Sequence, residues 1–301
     1  MVAGIDDPAV RGRRLRADLR RLRDRAGFTQ RDVASAMDWS LSKVIRIENG
    51  SVGISANDLR VLLPYYGIDD TAEINGFIEA SKVARKDPWS EFRDVHSAAF
   101  LSYLGFESSA KRVLQYEPAL VPGLLQTEEY ADATMAGVYL FEQKSANRRW
   151  AARQRRQELH ESADPPKMHF ILDEAVIRRH VGGASVMRRQ LERLKFWGEQ
   201  KHILLQIVPF SAGAHPGMKG PVVILEFEDD DDLLYLEDAA GSTTRRDDPE
   251  ETAPRRELFS NLEEIALSEA QTRDVIDGAI RDLLKAPDSR TTKKATTANK
   301  T

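Results

Sequence analysis

Cysteine is absent from all 301 residues, so disulfides, thiol nucleophiles and thiolate-bound zinc are excluded together. Long apolar runs are missing as well. The longest aliphatic stretches, 203–208 among them, fall well short of the roughly 18 residues that a helical membrane span needs. The arginines near the N-terminus have no apolar core behind them, unlike a secretory signal. A soluble, cytoplasmic protein with no membrane partner is the expectation. Nor does the chain contain H-E-x-x-H, G-x-S-x-G or a Gly-rich phosphate loop, the local patterns that carry metal, nucleophile or phosphate chemistry.

What the sequence has in quantity is charge. The formal net charge is only -4, but it is unevenly spread. Between positions 9 and 67 twelve basic residues stand against six acidic ones, leaving +6 on this segment and a net acidic remainder. Such a local excess is the electrostatic footprint of nucleic-acid binding even in an acidic chain. The length allows two domains, each able to bury a core.

The organising stretch is 29–50, T-Q-R-D-V-A-S-A-M-D-W-S-L-S-K-V-I-R-I-E-N-G. Thr29 is a good N-cap, and Asp32 three residues on makes a short-acid variant of the capping box, so a helix should start at Gln30. Val33, Ala34 and Met37 share its inner face. Asp38-Trp39-Ser40 breaks the run, and Ser40 can cap a second helix that turns Val44 and Ile47 inward. Leu41, Ser42, Lys43 and Arg46 form the other face, and Asn49-Gly50 ends the helix. An outer face that opens with small polar and basic residues suits the major groove, where Lys and Arg donate to guanine edges. This pattern is a helix-turn-helix.

These residues resemble the Cro and phage-repressor type of helix-turn-helix, the Xre family. Thr29-Gln30 opens the first helix as in that family, and Ile47-Glu48-Asn49-Gly50 closes the second. Asp38 departs from the Gly common at the corner, but Asp tolerates the left-handed conformation better than most residues. The resemblance implies a lambda-repressor-like bundle with Gln30 on a backbone phosphate and Ser40, Leu41, Ser42, Lys43 and Arg46 towards bases or flanking phosphates. Asn49 completes the DNA-contacting set. It also implies a buried pair between Arg23 and Glu48 that orients the motif more than it stabilises it.

Around this motif, Leu15, Leu19, Leu22 and Ala26 recur at helical spacing, as do Leu59, Leu62, Leu63 and Tyr66, then Ile74, Phe77 and Ile78. A five-helix domain is expected over 9–86. Pro88 disfavours helix in the residue before it, which places a linker at 87–96. Residues 97–285 should form an α+β domain with a small antiparallel sheet, because β-prone runs at 169–176, 203–210, 222–227 and 233–237 are set among helices. Residues 111–116 are β-leaning, 142–161 read as a long charged helix, and 185–200 read as a helix between two strands. The acids at 229–232 read as a solvated hairpin turn. The Thr- and Lys-rich tail at 286–301 lacks apolar anchors and is expected to be disordered.

Four strings of the second half resemble an uncharacterised domain. They are Tyr116-Glu117-Pro118 with 120–130, Leu172-Asp173-Glu174-Ala175, 208–217, and Leu225-Glu226-Phe227. That domain follows an Xre-type helix-turn-helix in WhiJ-like, antitoxin-like regulators of filamentous spore-forming bacteria. Asp132 and Pro254 depart from the usual pattern. The resemblance implies a DNA-binding regulator that works with a small protein encoded beside it.

No enzyme is expected: Asp173, Glu174, His180, His202, His215, Glu226 and Glu237 show no catalytic or metal-ligand spacing, and neither cofactor nor metal is implied. Instead Leu120, Val121, Pro122, Leu124, Leu125, Phe210, His215 and Pro216 are the candidates for an effector or partner site, since their loops are apolar or Gly-rich beyond what a connector needs. The combined expectation is a homodimeric regulator on a double-stranded operator. The rivals are a small-molecule-sensing one-component repressor and a DNA-tethered enzyme.

Overall fold

Five helices build the N-terminal region in the computed structural model, which describes residues 8–48, 50, 52–84, 88–138, 142–228, 232–238, 241–246 and 249–285. Asn49, the boundary at 85–87, the acids Asp229, Asp230 and Asp231, and the tail at 286–301 lie outside the described residues. The helices are α1 (Pro8–Arg25), α2 (Gln30–Ala36), α3 (Leu41–Glu48), α4 (Ala56–Tyr65) and α5 (Thr71–Ala84). Their core unites Leu15, Leu19 and Leu22 of α1 with Val33, Val44, Ile47, Leu59, Leu62, Leu63 and Ile78, the apolar stripe that the sequence spacing predicts. Local caps fix the helix starts. Thr29 and Asp32 form the full capping box, and the Ser55 hydroxyl accepts from the Asp58 amide.

The second region begins with α6 (Ala98–Glu107), β1 (Arg112–Glu117), α7 (Glu128–Gly137) and α8 (Gln143–Gln157). It continues through β2 (Lys167–Asp173), α9 (Glu174–Arg178), α10 (Ala184–Gly198), β3 (Ile203–Val208), β4 (Val222–Glu226), β5 (Leu233–Asp238) and β6 (Gly241–Arg246). The last helices are α11 (Pro249–Ile265) and α12 (Glu269–Lys285). The six strands form one sheet in the order β3-β2-β1-β4-β5-β6.

The α+β class holds, but the sheet is mixed rather than antiparallel. β1 runs parallel to β2, and β2 to β3, whereas β4, β5 and β6 add as antiparallel neighbours. The reason is connectivity. Helices separate β1 from β2 and β2 from β3, and such crossovers bring successive strands back in the same direction, while short turns reverse the chain.

Strand alternation gives the sheet two differently covered faces. One carries Val113, Phe170, Leu172, Leu205, Ile207, Val223 and Leu225 against α10 and α12. The other carries Leu114, Tyr116, Ile171, Val222 and Ile224 against Leu258, Phe259 and Leu262 of α11. Within the stretch 87–96, read above as a linker, Trp89 and Phe92 are buried in the first of these cores. Among the described residues no helix is long and apolar enough to cross a membrane.

Candidate nucleic-acid interface and an interior cavity

The corner between α2 and α3 follows from one backbone angle. Asp38 has φ of 55°, the left-handed conformation that an Asp side chain tolerates and most residues do not. Trp39 then returns a backbone bond to the Ala34 carbonyl, and Ser40 Oγ caps α3 by accepting from the Lys43 amide at 3.2 Å. At the far end Gly50 is left-handed with φ of 80°, and a Cβ there would meet the Arg16 guanidinium at 2.8 Å. The positive φ is what calls for glycine here, since the Arg16 side chain can swing aside.

Glu48 sits at the end of α3, 6% exposed, and the side chains of Arg23 and Gln30 converge on it. Arg23 donates Nε to Oε1 at 2.7 Å and Nη2 to Oε2 at 3.2 Å, which is the pair that the resemblance implies. Burial opposes the charge on Arg23, yet the bonds to Glu48 outweigh it and its pKa is raised. Arg23 also donates to the Phe28 carbonyl at 2.9 Å, locking α1 to the turn before α2. The second side chain is Gln30, whose Nε2 donates to Glu48 Oε2 at 2.8 Å. Gln30 is thus held by the motif's own ion pair, a link across 18 positions that local spacing does not reveal.

The outer face of α3 divides. Ser42 and Arg46 are exposed, with Arg46 Nε on the Ser42 carbonyl at 3.2 Å, and Ser40 Oγ lies 3.1 Å from Ser42 Oγ. Lys43 is half-buried instead. Its Nζ lies 3.2 Å from Asp58 Oδ1 and 3.7 Å from the centre of the Trp39 ring. Leu41 is partly buried against the helical core. Two further side chains extend this surface without having been singled out from sequence, Arg31 on α2 and Ile45 on α3, both exposed. Both follow from the same wheel, one position along from Gln30 and one back from Arg46.

In the C-terminal region the loop 120–126 has few backbone partners of its own, so side chains supply them. The Val121 amide donates to Tyr130 Oη at 3.1 Å, and the Val121 carbonyl accepts from Gln126 Nε2 at 2.7 Å. Gln157 Nε2 reaches the carbonyls of Gly123 and Gln126 at 3.0 and 2.9 Å, and Gln190 Nε2 reaches that of Leu125 at 2.8 Å. The Leu124 carbonyl can only accept, so His160 Nε2, 3.2 Å away, carries the proton. Burial pushes the His160 pKa down to about 4 and keeps the ring neutral.

Behind this loop Arg156 and Glu107 form a buried fork, with Nε to Oε2 at 2.5 Å and Nη2 to Oε1 at 2.7 Å. Tyr103 donates to the same Oε1 at 2.5 Å and accepts from Arg156 Nη2 at 3.2 Å. Arg156 is therefore held charged although burial opposes it. The sequence shows this helix only as long and charged. The available signal was register: Arg156 falls four residues after Ala152, itself buried, on the inward stripe.

Between the loop, the fork and the sheet lies a cavity of about 420 Å³. Leu120, Val121 and Pro122 line it, as expected of an effector site, together with Gln115, Glu117, Arg153 and Tyr235. The rest of the sequence-derived set is not there. Leu124 and Leu125 are 0% exposed and belong to the core, while Phe210 is 59% exposed. His215 and Pro216 belong with the opposite face, where Gly217 abuts the Tyr116 ring and α11 packs on the Pro216–Lys219 turn. The two loops were grouped by composition, but strand alternation separates them.

Comparison with known families decides where this region belongs. Residues 100–278, more than half of the chain, match the profile of a domain of unknown function, DUF5753. The chain belongs to the DUF5753 family. Ahead of that domain, residues 14–74 match the profile of a helix-turn-helix domain. Neither the curated proteins nor the solved structures contain a match.

The DUF5753 domain brings three of the motif strings together away from the cavity. Asp173 caps α9 by accepting from the Ala175 amide at 2.8 Å. Its other oxygen lies 3.4 Å from His215 Nε2, and His215 in turn meets the Tyr116 ring edge-on. Glu174 accepts from the Phe210 amide at 2.9 Å. His180 is exposed, and Glu226 pairs with Arg256 at 2.6 Å, Asp232 joining the same guanidinium. The side chain of Glu237 lies outside the described residues, and His202 sits 3.3 Å from His160. Asp173, Glu174 and Glu226 thus act as caps and ties.

Proposed function

We propose that the chain is a cytoplasmic, sequence-specific transcriptional regulator of the Xre type whose DUF5753 domain responds to an effector or a small partner protein. The helix-turn-helix makes it a DNA-binding regulator, and the observation that carries the finer reading is the outer face of α3. Ser42 and Arg46 are exposed one turn apart on a helix whose opposite side is pinned through Glu48 to α1 and α2, which gives the reading helix a fixed orientation in the groove. Ser40, Ser42 and Arg46 face bases, Lys43 contributes charge once it leaves Asp58, and Gln30 exchanges Glu48 for a phosphate. One α3 spans too few base pairs to be selective, so the working species is a homodimer on two half-sites. The C-terminal domain recognises and does not catalyse.

A small partner protein, as in WhiJ-like, antitoxin-like systems, has its own support. Phe210 and Met218 are 59% and 70% exposed on the loop after β3, an apolar pair unlike the rest of that surface. The test is enrichment of duplexes from a random pool by the full chain. A palindromic consensus with half-sites one or two helical turns apart is expected, and an enriched pool without two-fold symmetry would refute the dimer.

A further inference from the structure

We propose that the interior cavity of the DUF5753 domain is a receptor site for an uncharged, largely apolar small molecule bearing at least one N–H or O–H donor; its role as an effector site rests on the regulator reading above.

Gln115 carries the argument. It projects from β1 into the cavity and is only 5% exposed, and its Nε2 donates to Glu117 Oε1 at 2.7 Å. A carboxylate only accepts, so this bond fixes the amide orientation and forbids the flipped alternative. The other end of the amide, Oε1, is therefore an acceptor, and it is buried without a hydrogen-bond partner among the described residues. Leaving such an oxygen unmet is costly; it is closed off from water in this conformation, and a small turn of the Gln115 amide toward the cavity it lines brings it within reach of a donor there.

The remaining walls define what brings that donor. Leu120, Val121, Pro122, Pro221 and Val223 supply apolar surface. Tyr103 and Tyr235 stack on each other at 4.1 Å between ring centres along one side. The charges balance: Arg156 is committed to Glu107, and the second cation, Arg153, which donates to Gln126 Oε1 at 2.7 Å, shares the wall with Glu117. With no surplus of either sign, an ionic ligand would enter at the cost of its own hydration without a counter-charge. A volume of about 420 Å³ suits a compact organic molecule. The position is also apt, since Glu117 and the loop after it follow the carboxyl end of a parallel strand, where sheets of this kind receive ligands.

The position also provides coupling. A ligand on Gln115 touches the loop 120–123, which Gln126, Gln157 and Tyr130 tie to α8 and α7. Filling the cavity therefore bears on the same struts that set the helical layer over this face of the sheet.

Three matched probes test this with the full chain: indole, 1-methylindole and indole-3-acetate, followed by calorimetry and ligand-observed NMR. Indole should bind about tenfold more tightly than 1-methylindole, the worth of one buried hydrogen bond, and the acetate should gain nothing. Gln115→Leu should erase the preference for indole over its N-methyl analogue. Leu120→Trp, placed at a half-buried wall position where the added ring fills the space, should abolish binding of both and keeps the test open if Gln115→Leu misfolds. Equal affinity of indole and 1-methylindole, a preference that survives Gln115→Leu, or no binding by any probe would overturn the proposal. Duplex-DNA binding is measured in parallel on the same sample. Duplex binding without probe binding sinks the cavity proposal alone, whereas probe binding without duplex binding upholds the cavity and sinks the regulator reading.

Discussion

The helix-turn-helix region and the DUF5753 domain treat charge in opposite ways. In the first, arginines such as Arg14, Arg21, Arg25, Arg31 and Arg46 stand exposed, and the buried pair Arg23–Glu48 serves to aim the helix that carries Arg46. In the second, a guanidinium is drawn inside: Arg156 and Glu107 are 8% and 1% exposed, beside a buried glutamine and a cavity. Exposed charge on a rigid frame suits a polyanion met from solvent, while buried, fully paired charge fixes the shape of an interior. The first region is built to touch a polymer. The second sets a paired, buried charge beside a partly open cavity.

Five changes break or sharpen that contrast. The largest effect is expected from Arg156→Leu, which strands Glu107 in the core and should cost about 3–5 kcal/mol in denaturant unfolding. Glu48→Ala should cost less, about 1–3 kcal/mol, because Arg23 keeps the Phe28 carbonyl and Asp24. Equal costs would erase the distinction between the two pairs. Next comes Arg46→Ala, expected to weaken operator binding by about 1–3 kcal/mol in a titration while leaving the unfolding midpoint unchanged. Unchanged affinity there would move the reading surface elsewhere.

The fourth change is pH. Burial, with neighbouring arginines, pushes His96 down to about 4, and burial does the same to His160. The unfolded chain then binds more protons than the folded one between pH about 6.5 and about 4, so stability falls as the pH drops through that window and levels off below it. His160→Gln, which keeps a donor for the Leu124 carbonyl, should remove about 1–3 kcal/mol of that slope in pH-dependent melts. A slope the same as wild type would show that His160 titrates normally. The smallest effect is Asp38→Gly. Relief of the left-handed angle should outweigh the added freedom of the unfolded chain and raise stability by about 0.5 kcal/mol, and a loss would mean that the Asp side chain supports the corner.

How much of this was legible follows from how local each signal is. Thr29, Asp32, Ser40 and Ser55 declare their helices within three residues, and Asp38 was readable as a corner because so few residues accept its angle. The bond of Gln30 to Glu48 depends on how α2 meets α3, which no spacing encodes. In the sheet, the helix between β2 and β3 was visible in the sequence, and its implication of a parallel pair was there to be drawn from connectivity. Strand β6, with Gly, Ser, Thr and Arg at its positions, lacks the apolar alternation that marks the others and forms by pairing with β5. The cavity was half legible. Apolar Leu120 to Pro122 drew attention, whereas Gln115 looks ordinary on a strand until its neighbours are known.

The central claim is that α3 reads duplex DNA through Ser42 and Arg46, with phosphates held by the surrounding cations. Its most direct measurement is the affinity of the full chain for its enriched duplex as a function of salt, for wild type and for Arg31→Ala. The account predicts a steep fall in affinity with rising salt, and a slope shallower by about 1 when a phosphate-contacting cation is removed. Binding indifferent to salt, or no binding to any duplex at low salt, would contradict it.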